Sequence, residues 1–273
     1  MSAMRLAIVT DEIAPDPARA IRLGLQWGIR DFELRKVWDR RVPDLERPDL
    51  ERLLAFRADE GVRYTALSPG LFKQPLQHPD TRRDLTERLP RTLEMATRLG
   101  VEKIITFGFP RAPDDPADAA EAIASHLREA AELTASAGLL LCLEPERGFW
   151  GSTGAESART VRAAGHPALR SNWDPGNCAA AGERPYPAGY EAVRGLVAHV
   201  HVKDYRPGAG GGLGRWVAAG DGGVDWQGQI ASLGADGAVP YLTIETHFGP
   251  AVEASRLCVE RVRAYLRACG VAA

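Results

Sequence analysis

The chain has 273 residues, 45% hydrophobic and 26% charged, proportions that fit a globular protein able to bury one good-sized core. Lys plus Arg number 34 against 36 Asp plus Glu, a net charge of -2, which argues against a nucleic-acid or anionic-membrane binder because each needs a basic surface. No apolar run reaches the roughly 18 residues of a membrane helix, and the start, Met1-Ser2-Ala3-Met4-Arg5-Leu6, enters a strand pattern without an apolar secretory segment.

In chain order, short apolar runs alternate with stretches of helical spacing. Leu6–Val9 precedes a helix over Asp16–Gly28 that places Ala20, Leu23 and Trp27 on one face. Asp31–Leu34 precedes a helix over Asp49–Gly61, and Arg63–Leu67 precedes one over Thr81–Gly100 that Pro90 should bend or split. Lys103–Phe107 leads into an Ala-rich helix over Ala117–Gly138. Several of these helices stop at glycine, the residue that takes the left-handed C-cap cheaply. Leu139–Leu143, Leu169–Trp173, Val197–Val202 and Tyr241–Ile244 are the last four runs, with helices over Ser152–Gly165, Pro187–Gly195, Trp226–Leu233 and Pro250–Cys269.

Eight strands, several almost continuous in Val, Ile and Leu, read as buried parallel strands joined by crossover helices. The expectation is a single-domain (β/α)8 TIM barrel over residues 1–273, with an open doubly wound sheet as the alternative. The stretch from Pro207 to Gly214 fits neither GxGxxG nor GxxxxGK and reads as a mobile loop. Cys142, Cys178, Cys258 and Cys269 form no CxxC pair and read as reduced thiols of a cytoplasmic protein.

Barrels of this kind carry their active sites at the C-terminal strand ends. The last four runs end in Leu143-Glu144-Pro145, Trp173-Asp174-Pro175-Gly176-Asn177, His199-Val200-His201-Val202-Lys203-Asp204 and Ile244-Glu245-Thr246-His247. Ionised carboxylates crowded in a barrel mouth need a compensating charge. Glu144, Asp174, His201 and Glu245 therefore read as ligands of one divalent metal ion. The oxygen-rich donor set favours Mn²⁺, with Mg²⁺, Co²⁺ or Zn²⁺ as alternatives.

At these motifs, and at Phe32-Glu33-Leu34-Arg35 on the second strand, the chain resembles the sugar phosphate isomerase/epimerase group with the xylose isomerase-like barrel, which also includes endonuclease IV. The resemblance implies that Glu144, Asp174, His201 and Glu245 bind the metal and that Glu144 and Glu245 act as the catalytic acid/base pair. It implies proton abstraction alpha to a metal-bound carbonyl of a small sugar or keto-polyol, through an enediolate, giving isomerisation or epimerisation. Loss of a β-hydroxyl from the same species would make the protein a lyase, such as an inosose or 3-dehydroshikimate dehydratase. An abasic-site endonuclease needs more histidines than the six present. A non-catalytic sugar-binding barrel is the remaining reading. Relatives are often homodimers or homotetramers, so either assembly is expected.

Substrate-binding candidates complete the reading. His199 and Lys203 share the side-chain parity of His201. His199 lies deeper and reads as a hydrogen-bonded core histidine; Lys203 could bind an anionic group or pair with Asp204. Asn177 stands where ketose 3-epimerases carry a second histidine. Arg206 follows the His-x-His motif at about the distance of a substrate-binding arginine. Glu33 and Arg35 could bind hydroxyls or pair with each other. Trp38, Phe72, Trp150 and Phe248 follow strand ends, where aromatic faces can stack on a sugar. His247 reads as a surface histidine within reach of the site.

Overall fold

A computed structural model describes residues 4–208 and 212–272. Met1-Ser2-Ala3 and residues 209–211 of the glycine-rich stretch lie outside it. Eight strands form the barrel: β1 (Arg5–Val9), β2 (Asp31–Leu34), β3 (Arg63–Leu71), β4 (Lys103–Phe107), β5 (Leu140–Glu144), β6 (Leu169–Trp173), β7 (Val197–Val202) and β8 (Tyr241–Ile244). Each pairs in parallel with its sequence neighbours, and β1 closes the ring on β8 through Arg5↔Tyr241 to Ile8↔Ile244. That pairing excludes the open doubly wound sheet.

The main outer helices are Pro17–Gln26, Arg47–Glu60, Leu89–Leu99, Ala119–Ser136, Gly154–Ala164, Trp226–Asp236 and Ala251–Ala268. Two of the expected long helices carry prolines, with different outcomes. The expected Thr81–Gly100 helix runs from Asp80 to Leu99, and the turn before Pro90, Asp84–Arg88, widens to a π-turn at the proline instead of breaking the helix. Pro187–Gly195 is a π-turn over Pro185–Gly189 followed by a single turn, Tyr190–Val193; Pro185 and Pro187 prevent a longer helix.

Two small hairpins lie at the barrel mouth: Lys36–Val37 with Arg40–Arg41 after β2, and Asp204–Arg206 with Arg215–Val217 after β7. The main apolar core fills the space between barrel and helices. A smaller cluster of Ala66, Ile105, Phe107 and Cys142 packs separately, and a polar plug joins Lys103 Nζ to the Tyr241 hydroxyl at 2.6 Å. Register shifts in the β2–β3, β3–β4 and β6–β7 pairings interrupt the ladders, as bulges do beside functional mouths. The four cysteines are unpaired, three of them buried. Among the described residues, no helix is long and apolar enough to cross a membrane.

Candidate metal and substrate site

Strand parity brings the expected residues together. Glu144 ends β5, Asp174 follows β6, His201 lies on β7 and Glu245 follows β8; their ligand atoms all lie within 4.8 Å of one another. All four are buried. Gly176 lets the Pro175–Ala180 turn approach β7 closely, since a Cβ there would stand 2.5 Å from the Lys203 carbonyl oxygen. Asp174 caps that turn by accepting the Asn177 N–H at 2.9 Å, which fixes its carboxylate at the end of β6.

His201 is held from behind. Its Nε2 stands 2.9 Å from Glu33 Oε2, and the same oxygen takes His199 Nε2 at 2.8 Å. An imidazole whose Nε2–H is bound to a carboxylate offers its Nδ1 as donor atom. His201 Nδ1 lies 3.1 Å from Glu245 Oε2 and 3.4 Å from Glu144 Oε2. Glu33 therefore serves the histidines. It does not pair with Arg35, and being fully buried beneath them it does not meet hydroxyls at the cavity wall. Burial opposes its charge, but His201 and His199 override this and hold Glu33 down at about 2. His199 is the expected core histidine: buried, bonded to Glu33 and edge-on to Tyr241, with burial keeping its pKa low.

Glu144 is clamped by two amides. Asn177 Nδ2 donates to its Oε1 at 2.9 Å and Asn172 Nδ2 to its Oε2 at 3.2 Å. Asn172 is a site residue that the sequence reading missed. Its parity matches that of Asp174 two positions on, and this was the available signal. Arg35 also binds Glu245 Oε1, with Asp11 and Glu12 on its other side. His247 Nε2 lies 3.0 Å from the same Glu245 oxygen, so this partly exposed histidine does reach the site.

Lys203 does not pair with Asp204, whose carboxylate caps loop amides of Gly220, Gly222 and Val224. Its ammonium stands 2.6 Å from Glu245 Oε2 and 2.9 Å from Asp174 Oδ2. Both oxygens are buried acceptors that face the Lys203 ammonium, and Glu245 Oε2 also faces His201 Nδ1. Burial and the Glu144 and Glu245 charges push Asp174 up to about 6, against the pull of Lys203. Burial also opposes ionisation of Glu144 and Glu245, yet His201 for the first and Lys203 with His247 for the second hold them below the usual carboxylate range. The donor set, three carboxylates and one imidazole converging at a buried point, fits a hard divalent cation.

A cavity of about 500 Å³ opens above the cluster, lined by Glu144, Asn177, Lys203 and Glu245 together with Arg35, Arg41, Lys73, Phe107, Trp216 and His247 among others. Arg206 and Trp150 do not line it. Arg206 binds the Asp221 carbonyl through Nε at 2.8 Å. Trp150 donates to Asp115 at 2.8 Å and lies under Arg111. Phe72 stacks on Phe109 in the core, and Trp38 bonds Asp16. The aromatic rings at the cavity are instead Phe107, Tyr205 and Trp216.

The xylose isomerase-like TIM barrel family profile matches residues 21–267. None of the curated proteins matches the chain. Among solved structures, an L-ribulose 3-epimerase superposes with a TM-score of 0.78 at 17% identity, covering 98% of this chain and 96% of its own. A probable 3-DHS dehydratase involved in petrobactin synthesis from Bacillus anthracis gives 0.78 at 16% identity, covering 95% of this chain and 99% of its own. A xylose isomerase-like TIM barrel protein from Mycobacterium smegmatis in complex with magnesium gives 0.74 at 18% identity, covering 92% and 88%. At such identities the structural likenesses establish the fold.

Proposed function

The chain belongs to the xylose isomerase-like TIM barrel family, and from that premise we propose that it is a divalent-metal-dependent isomerase or epimerase of a small sugar or keto-polyol. The observation that carries this reading is the convergence of the buried Glu144, Asp174, His201 and Glu245 beside one cavity at the C-terminal strand ends.

When bound, a divalent cation supplies charge that polarises a carbonyl and acidifies the proton on the adjacent carbon. Glu144, Asp174 and Glu245 would hold it through oxygen and His201 through Nδ1. Glu144 and Glu245 belong to strands three apart in the ring and both line the cavity, so one can take a proton and the other return it. Asn172 and Asn177 orient the Glu144 carboxylate, and Arg35 with His247 orients Glu245. Trp216 covers Lys203, its ring centre 5.3 Å from Nζ, and lines the same cavity as the acid/base pair.

A lyase acting on a keto-polyol is the second reading. It is favoured by Asn177, which binds Glu144 and Pro145 where ketose 3-epimerases carry a histidine, and by the dehydratase among the structural relatives. Proton NMR in D₂O of the manganese-loaded protein with ketoses and keto-cyclitols separates the two. Deuterium at the alpha carbon with the skeleton retained supports the isomerase, and loss of water supports the lyase. Glu144→Gln and Glu245→Gln should each slow exchange about 10²–10⁴-fold; exchange that survives both unchanged rejects the acid/base assignment.

A further inference from the structure

Charge is unevenly distributed around the cavity. The carboxylates of the cluster come from β5 to β8, whereas Arg41 and Lys73 come from the loops after β2 and β3 and Arg147 from the loop after β5. Most cations at this mouth have a carboxylate. Arg35 has Asp11, Glu12 and Glu245; Lys203 has Asp174 and Glu245; Lys73 has Glu146 at 2.8 Å. On the same hairpin as Arg41, Arg40 pairs with Glu46 at 2.9 Å. Arg41 and Arg147 differ: among the described residues neither has a carboxylate within 4.0 Å.

Arg41 is the informative one. Its guanidinium is partly buried, lines the cavity and has one hydrogen bond, from Nη1 to the Ser68 carbonyl at 3.1 Å. A guanidinium carries five N–H donors. The end of β3 is shaped to receive it: Gly70 has φ +77, and a Cβ there would stand 3.0 Å from Arg41 Nη1. Burial lowers the pKa of Arg41 and Arg35 adds to the effect, while the charges of Asp11 and Glu245, which lie out of contact, oppose it. A half-buried guanidinium with no carboxylate in contact is better satisfied when a ligand brings the anion to it.

We propose that Arg41 is the anion-recognising residue of this cavity and that the substrate carries a carboxylate or phosphate group, held by the Arg41 fork on the side of the mouth away from β6 to β8. Arg147 adds to the local positive potential. A planar fork suits either oxyanion, and unpaired cations at a cleft steer anionic ligands toward it. The inference rests on the cavity being the substrate site proposed above. It narrows that reading from keto-polyols in general to acidic ones.

The test uses three six-carbon probes that differ in charge: D-fructose, D-fructose 6-phosphate and 5-keto-D-gluconate. Binding of each to the full chain is measured by calorimetry with manganese present, in the wild type, Arg41→Gln and Arg41→Lys. At least one anionic probe should bind about tenfold to hundredfold more tightly than D-fructose, and Arg41→Gln should weaken that probe far more than D-fructose, closing the gap between them. Arg41→Lys should retain part of it, which separates lost charge from lost folding. The tighter of the two anionic probes identifies phosphate or carboxylate as the source. Equal binding of all three, no binding of either anionic probe, or an advantage that survives Arg41→Gln overturns the inference. A separate manganese titration in the absence of sugar distinguishes the two claims: no metal binding rejects the proposed function, whereas metal binding without anion preference rejects the Arg41 subsite alone.

Discussion

Glu33 never touches the cavity, yet the geometry of the metal cluster depends on it. One oxygen, Oε2, faces both His199 Nε2 and His201 Nε2. An amide oxygen in Glu33→Gln would keep an acceptor but lose the charge that orients two imidazoles. Partners that orient a ligating histidine are typically worth 10–100-fold in metal affinity. Glu33→Gln should therefore weaken manganese binding by about that factor in a calorimetric titration; unchanged affinity would show that His201 is positioned without it. At this scale the sequence is readable where parity applies. Glu144, Asp174, His201 and Glu245 stand at or just past the ends of apolar runs and face inward. Arg35, Glu12 and Arg41 lie beyond the barrel strands, in a bend, a single helical turn and the mouth hairpin, where the alternation of the barrel strands no longer gives direction. Glu12 caps the Thr246 and His247 amides, a role that no short-range pattern announces. Arg206 and Trp150 follow the right motifs but are drawn away by the Asp221 carbonyl and by Asp115.

The strands owe their limits to their neighbours as much as to their own composition. β5 runs to Glu144 and not merely to Leu143 because Phe107 of β4 pairs with Glu144. β3 continues through Ser68-Pro69-Gly70 to Leu71 although its apolar run ends at Leu67. The opposite end of the barrel is tied by Asp31 at the start of β2. It accepts from Arg63 of β3 at 2.8 and 2.6 Å and from Arg5 of β1 at 3.1 Å, so one carboxylate joins three strands. Burial would raise its pKa, but the bonds from Arg63 and Arg5 lower it below the usual value. A carboxylate with a depressed folded-state pKa stabilises the fold above the unfolded value of about 3.9 and loses that contribution as pH falls through the folded value. Both arginines are about half exposed, so solvent screening limits the effect. Asp31→Asn should be less stable than the wild type by about 1 kcal/mol at neutral pH. Urea unfolding over a pH series should show the gap closing in the acid range below the unfolded value; a gap independent of pH would mean that the amide disturbs packing and not charge.

Eight βα units make a parallel sheet predictable, but not its closure. An open sheet and a barrel need the same buried strands, and only the pairing of Arg5 through Ile8 with Tyr241 through Ile244 decides between them. That seam also joins the two ends of the chain, and Glu245 lies just beyond it. A cation shared by Glu144, Asp174, His201 and Glu245 would connect the ends of the last four strands, and the unfolded chain cannot reproduce that arrangement. Binding to the folded state alone adds about 2.7 kcal/mol when the free ion is a hundredfold above its Kd. For a chain of this size each kcal/mol raises Tm by roughly 2–4 °C. Calorimetric scans should therefore show manganese raising Tm by roughly 5–10 °C over the chelator-treated protein. Asp174→Asn should lose most of that rise, because it removes a ligand charge from the centre of the cluster. If manganese, magnesium, cobalt and zinc all leave Tm where the chelator does, the four side chains form a buried charge network balanced by Lys203, and the metal-dependent chemistry fails with the site.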